Sequence, residues 1–272
     1  MPNIWDFSRR FQITTFDVIL FATAATFDPF VVEILLAVVN GAKLLIVPDS
    51  FRSVPSKLVD AIIKYGVTFI QMTPSQLKIL PHNALTEIFA GRSTIRTIIL
   101  GGEAFPINFI KRYHINDKFI SLYNVYGITE VSCWASCHKI DWKETRVEIG
   151  QPLLGTKFNI SKTGELLIGG SRRCFVNGKL SRAWLPTGDI VELTELGKIY
   201  WCDRSDDQLG APSPNRSAIA SLDVELHRKQ NYNMTDLFLY VRSNVPELKF
   251  EQKGIYNKIM QTINKGLGQK EL

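Results

Sequence analysis

The chain lacks the motifs that usually identify a strand–helix protein. No G-x-x-x-x-G-K-[ST] phosphate loop, no G-x-G-x-x-G fingerprint, no G-x-S-x-G nucleophile elbow and no H-E-x-x-H zinc motif occurs in its 272 residues. Cysteine is scarce: Cys133, Cys137, Cys174 and Cys202 are too few for a disulfide framework in a chain of this length. Reduced thiols and a cytoplasmic setting are therefore expected. Cys133, Cys137 and His138 raise a zinc question, but no second ligand cluster follows, so they read as packed strand residues. The opening MPNIWDFSRRF has no apolar core of signal-peptide length. The most apolar stretch, Val18 to Val39, carries Asp28, Pro29 and Glu33 in its middle. Charge at mid-bilayer is costly, so that stretch reads as strand, turn and buried helix, and no membrane partner is expected. The net charge of +6 has no matching basic stripe, only short pairs such as Arg9-Arg10, Arg172-Arg173 and Arg228-Lys229. That argues against nucleic acid and suits a small anionic ligand.

What is present is a well-stocked core: 45% of residues are apolar and 21% charged, enough for one large domain or a large and a small one. Apolar runs alternate with helical patterns. Asp17–Ala22, Lys43–Val47, Val67–Met72, Ile95–Leu100 and Phe119–Tyr123 read as strands. Between them lie helices near Pro29–Val39, Pro55–Lys64, Ser75–Phe89 (broken at Pro81-His82) and Ile107–Tyr113. The class is α/β, a parallel sheet flanked by helices. From about Val131 short β-like runs take over, separated by Gly and Pro turns. The expected division is an α/β part over 1–130, a smaller β-rich subdomain over 131–205, and a partial C-terminal α+β segment over 206–272. That last segment holds a strand at Leu237–Val241 and a helix at Gly254–Leu267.

Three clusters stand at the carboxyl ends of expected strands, where open α/β sheets bind ligands. In LGGEAFP (Leu100–Pro106), paired glycines let a flat ligand approach the backbone. A tight strand-to-helix turn needs the same residues. NVYGITE (Asn124–Glu130) brings an amide, a ring, a glycine, a hydroxyl and a carboxylate within seven residues. That set suits a nucleotide with Mg²⁺, or a capped turn. LPTGDI (Leu185–Ile190) offers Asp189 after a Thr-Gly pair, which alone would complete a turn.

In order, NVYGITE, then TGD, then DRSDDQ (Asp203–Gln208) resembles the motif set of the adenylate-forming, AMP-binding superfamily. The wording of TFDPFVVEI, LLIVP, PSKL, LGGEAFP, NVYGITEVSCWA and GQPLLGT is similar to its beta-alanine-activating enzyme family, over about Pro2 to Gln208. The resemblance implies ATP and Mg²⁺ as cofactors and a small amino acid, beta-alanine first, as substrate. The acyl-adenylate would pass to the thiol of a phosphopantetheine carrier domain absent from this chain. It also implies site roles. Gly101, Gly102 and Glu103 would run along adenine, with Tyr126 stacked on it, Asn124 at its edge and Gly127 beside it. Thr129 would contact the α-phosphate and Glu130 would hold Mg²⁺. Asp189 would bind the ribose hydroxyls with Arg204 assisting, and Asp206 would be the hinge. Asp28, Val32, Gln71, Ile99, Val125, Cys133 and Trp134 would line the acid pocket. Asp28 would face the ammonium group, although a helix N-cap explains an aspartate there equally well.

The chain departs from the family pattern in two places. The family's Ser/Thr/Gly-rich phosphate loop lies upstream of Met1. After Gln208 the segment LGAPSPNRSA replaces the expected basic strand pair, and the family's late catalytic lysine would fall beyond Leu272. The expectation is a piece cut short at both ends that binds nucleotide weakly. The rival readings are a catalytically dead fragment or nucleotide-binding scaffold, and an acyl-CoA ligase for another small acid.

Overall fold

The computed structural model describes residues 2–24, 27–113, 120–131, 133–172, 175–176, 179–180 and 183–204. The expected hinge Asp206, the expected C-terminal strand and helix, Cys174 and Thr26 of the TFDPFVVEI motif lie outside the described residues.

Five parallel strands, β1 (Val18–Phe21), β2 (Lys43–Ile46), β3 (Phe69–Met72), β4 (Thr97–Gly101) and β5 (Ser121–Tyr126), stand in the order β2-β1-β3-β4-β5. Parallel neighbours need crossovers, and helices supply them. A leading helix α1 (Pro2–Arg10) precedes β1, and α2 (Phe30–Asn40) joins β1 to β2. Then α3 (Asp49–Arg52) and α4 (Pro55–Lys64) lead to β3, α5 (Pro74–Lys78) and α6 (His82–Phe89) to β4, and α7 (Ile107–Ile110) to β5.

Alternation along the strands sorts the core into two layers. Ile19, Phe21, Phe69, Ile99, Tyr123 and Val125 face α1 and α2. Leu20, Ile70, Met72, Ile98, Leu100 and Leu122 face α4, α6 and α7. Because both faces are covered, β3 and β4 are buried throughout, which is why they read as continuous apolar runs. Helix α2 is apolar on every side and buried from Phe30 to Val38, Glu33 included. Gly41 stops it at φ 65, where its N–H reaches back to the last turn.

The amino ends of β1, β3 and β4 are tied together by Asp17. Its carboxylate accepts from Thr14 N (2.8 Å), Thr68 Oγ1 (2.7 Å) and both Arg96 Nε and Nη2 (2.8 Å each). Burial alone would raise this carboxyl, but the Arg96 guanidinium and the Thr68 and Thr14 donors outweigh it and hold it at about 2.

Two short antiparallel strands, β6 (Ser136–Lys139) and β7 (Gln151–Pro152), extend the same sheet beyond β5. The expected division at 130/131 thus falls inside the first sheet's strand order. The second sheet begins with β8 (Thr156–Ile160) and β9 (Glu165–Gly170). A two-stranded ribbon of β10 (Phe175–Val176) and β11 (Lys179–Leu180) follows, then β12 (Trp184–Leu193) and β13 (Ile199–Arg204). The second sheet is antiparallel in the order β13-β12-β9-β8. Among the described residues no helix is long and apolar enough to cross a membrane.

Candidate functional site

NVYGITE does not follow β5 as expected, because its first three residues are the end of that strand. Period two then sends Asn124 and Tyr126 to one face and Val125 to the other. The chain returns so closely that a Cβ on Gly127 would lie 1.9 Å from the Cys133 carbonyl oxygen and 2.7 Å from Trp134 Cα. Only glycine permits that approach. Cys133 completes the reversal at φ 62, a left-handed conformation uncommon for a non-glycine residue. Ala135 N then donates to Tyr126 O at 2.7 Å.

TGD is not a turn either. Thr187, Gly188 and Asp189 sit inside β12, where the register with β9 shifts between Pro186 and Ile190. Thr187 Oγ1 donates to Leu166 O, and Gly188 N donates to Glu165 Oε1. This bulge aims Asp189 toward the end of β5. The Tyr126 hydroxyl donates to Asp189 Oδ2 at 2.6 Å, and Trp201 Nε1 donates to Asp189 Oδ1 at 3.1 Å. Arg204, opposite Asp189 in the β12–β13 ladder, lies 3.5 Å from Oδ1. Burial first, then the Asp189 charge, pushes the Tyr126 phenol upward, so it stays a donor. The Tyr126 ring also meets Phe158 edge-on at 6.5 Å.

The other expected nucleotide contacts are distributed differently. Asn124 Nδ2 donates to Glu148 O at 2.9 Å. Glu103 accepts from Ser75 N (3.0 Å) and Ser75 Oγ (2.6 Å), at the first turn of α5. Gly101 packs under Trp134, where an added Cβ would come within 2.5 Å of Trp134 Cη2. Gly102 is exposed at φ 81. Thr129 and Glu130 form a 3₁₀ turn directly after the strand end, with Glu130 exposed.

The expected pocket residues do meet. Val32, Ile99, Val125, Cys133 and Trp134 belong to one core cluster on the α2 face. Gln71 lies among them, its Nε2 donating to Pro29 O (2.9 Å) and its Oε1 accepting from Trp134 Nε1 (2.9 Å). Asp28 is half-buried in the turn before α2. The helix N-cap is Pro29, with no side-chain cap bond, and Asp28 contributes its backbone carbonyl to Val31 N. Its charge, after burial, helps push the Cys133 thiol upward.

Two participants carry no motif in the sequence. Trp201 is a donor to Asp189 that its strand position alone does not reveal. Glu33 is fully buried beside Gln71, bonded to it (3.2 Å) and to Thr23 Oγ1 (2.5 Å). The signal for Glu33 was a lone carboxylate inside an all-apolar helix. Cys133 and Cys137 are buried, His138 Nε2 bonds Glu144, and among the described residues no cluster is placed to hold a metal ion. A cavity of about 460 Å³ lies on the second sheet, beside Gly155, Lys157, Ser171 and Trp184, and none of the expected site residues lines it.

A mostly parallel sheet flanked by helices, with a separate antiparallel sheet, is a fold shared with an adenylation domain of known structure. Residues 2–172 match the family described as AMP-binding enzyme, and the chain belongs to that family. Among curated proteins, the beta-alanine-activating enzymes of Mus musculus and Homo sapiens are 32% and 33% identical over 280 residues, covering 92% of this chain. The chain spans about a quarter (25%) of the length of these relatives. A four-domain nonribosomal peptide synthetase bound to AMP and glycine superposes with TM-score 0.61 at 25% identity, over 75% of this chain and 17% of its own. The O-succinylbenzoate coenzyme A synthetase of Bacillus subtilis, in complex with ATP and magnesium, shares the fold, with TM-score 0.62 at 20% identity. That match covers 78% of this chain and 46% of the synthetase.

Proposed function

We propose that this chain is the adenylate-binding part of an enzyme that activates a small amino acid with ATP and passes it to a carrier thiol. Beta-alanine is the first candidate, by likeness to the curated relatives. The observation that carries the reading is the 2.6 Å bond from Tyr126 to Asp189. It joins two motifs 63 residues apart, one at the end of β5 and the other within β12. There a ribose diol would donate to Asp189 while the base lies against the Tyr126 ring and Gly102, with Asn124 near its edge. Arg204 would steady the carboxylate.

Mg²⁺ fits the donor set, since Glu130 offers an exposed hard oxygen one turn past β5, and this ion is commonly held by one or two carboxylates plus phosphate oxygens. Bound there, it would neutralise phosphate charge. Thr129 would donate to the α-phosphate. The acid would lie on the opposite face of β5, its ammonium group toward Asp28 and its carboxylate toward the nucleotide. Attack of that carboxylate on the α-phosphorus would give acyl-adenylate and pyrophosphate, and a phosphopantetheine thiol would then take the acyl group as a thioester, releasing AMP.

Calorimetry with AMP tests the nucleotide half. Tyr126→Ala should weaken binding by about 1–3 kcal/mol, the usual range for a base stacked on an aromatic ring. Asp189→Ala should weaken it as well, and folded variants with unchanged affinity would overturn the site. For the acid, pyrophosphate exchange should favour beta-alanine over propionate. Asp28→Ala should reduce the former far more, because an unpaired buried charge is costly.

A further inference from the structure

Glu33 is the one carboxylate inside an otherwise apolar helix, and its side chain is completely buried. Burial pushes its carboxyl up to about 8, against the opposing pull of Thr23, Gln71 and the Arg52 charge. An apolar residue in its place would spare the helix that cost. What the carboxyl does in return is visible in its contacts. Oε1 accepts from Thr23 Oγ1 (2.5 Å) and Gln71 Nε2 (3.2 Å), and Oε2 accepts from Thr23 N (3.4 Å).

Gln71 passes this on. Its amide N–H groups point to Glu33 and Pro29 O, so its oxygen must face the other way, where Trp134 Nε1 donates to it at 2.9 Å. Turned over, the amide would set oxygen against two acceptors and N–H against N–H. The indole so fixed reaches from Gln71 on β3 to Gly101 on β4, where no Cβ could fit beneath its far edge. On the acid-pocket reading it would be a wall of that pocket, across the ends of β3 and β4. The Gln71 amide and the Trp134 indole N–H are all engaged with one another, Pro29 O and Glu33.

We propose that Glu33 is a positioning residue: it orients the Gln71 amide, Gln71 pins the Trp134 indole, and the pinned indole limits how long an amino acid the pocket accepts. The length limit rests on the acid-pocket reading given above; the pinning does not.

The test is ¹⁵N NMR of the whole chain near pH 7, following the Trp134 indole N–H, which Trp134→Phe identifies by its loss. Glu33→Leu and Gln71→Leu should both move that signal upfield and speed its exchange with D₂O. Glu33→Gln, a neutral isostere that still offers an oxygen to Gln71, should restore the wild-type signal. Calorimetry with AMP present then compares beta-alanine, 4-aminobutanoate and 5-aminopentanoate. A single net hydrogen bond changes an equilibrium about fivefold, so the preference for beta-alanine over 5-aminopentanoate should narrow by about that factor in the two leucine variants. Should Glu33→Leu fail to fold, Gln71→Leu breaks the same chain one link later. An unmoved indole signal in the leucine variants, or a glutamine variant as altered as they are, overturns the positioning role. A moved indole with unchanged length preference overturns the limit. If wild type takes none of the three acids, the acid-pocket reading falls and the limit with it, while the indole signal still decides whether Glu33 positions Trp134.

Discussion

Replacing Glu33 by glutamine should flatten the dependence of stability on pH. The Glu33 carboxyl titrates at about 8 in the folded protein against an ordinary 4.5, because it is buried. Between those values the folded chain keeps a proton that the unfolded chain releases. The unfolded state therefore binds fewer protons, and stability falls as pH rises. The contribution is whole below about 4.5, declines by about 1.4 kcal/mol for each pH unit, and is gone above about 8. Integrated over that window the loss is at most about 5 kcal/mol, a large part of a domain's total. Glutamine has no proton to lose and keeps the size of the side chain. The gap between variant and wild type should therefore open from near zero in mild acid to several kcal/mol in mild base. Urea unfolding at a series of pH values from about 5 to 8.5 measures it. Parallel profiles would refute the reasoning, and so would a gap that opens only below pH 4.5, since either would mean the carboxyl is charged and comfortable in the fold.

Two further outcomes follow from other parts of the structure. Asp17→Asn should cost about 2 kcal/mol at neutral pH, the scale of hydrogen bonds to a charged partner. Because the folded carboxyl is held at about 2, its contribution is present above the ordinary 3.8 and lost as pH falls through 2, so acid unfolding followed by circular dichroism should show the two proteins converging there. Gly127→Ala places a methyl group 1.9 Å from the Cys133 carbonyl, and the forced shift should destabilise by about 1–3 kcal/mol or more and weaken AMP binding. An unchanged melting temperature would show that the 133–135 segment is not tied to the end of β5.

The middle of the parallel sheet is legible because β3 and β4 are buried on both faces, so Phe69–Met72 and Thr97–Gly101 appear as mostly apolar runs between punctuating residues. Helix α1 was not assigned. Only Ile4 and Phe7, with Phe11 just beyond its end, carry it into the core, and three apolar positions in a polar segment are weak periodicity. The β6 and β7 strands were grouped with the later β-rich run because SCHK and QP carry no mark of the sheet they will join. That choice is made by pairing with β5 and is not local. Val32, Ile99, Val125, Cys133 and Trp134, named from the resemblance, lie in one buried cluster. The partners of Asp189 and Gln71 were only half foreseen, since Trp201 and Glu33 act through contacts distant in sequence.

On the proposed function, the end of β5 lets one short motif face two ligands. Successive side chains of a strand point to opposite faces, so Val125 enters the layer that holds Ile99, Cys133 and Trp134. Tyr126, one residue on, packs instead against Phe158 and the clusters beneath the second sheet, where Asp189 waits. A small acid on one face and a nucleotide on the other would then be separated by little more than the thickness of one strand. Gly127 lets the returning chain fold tightly over the strand end, and the left-handed Cys133 turns it so that Trp134 lands on Gly101. A side chain at 127 or 101 would lift that indole. The glycines therefore matter here for what the protein packs against its own backbone, and the flat group lying on Gly101 is a tryptophan of the chain itself.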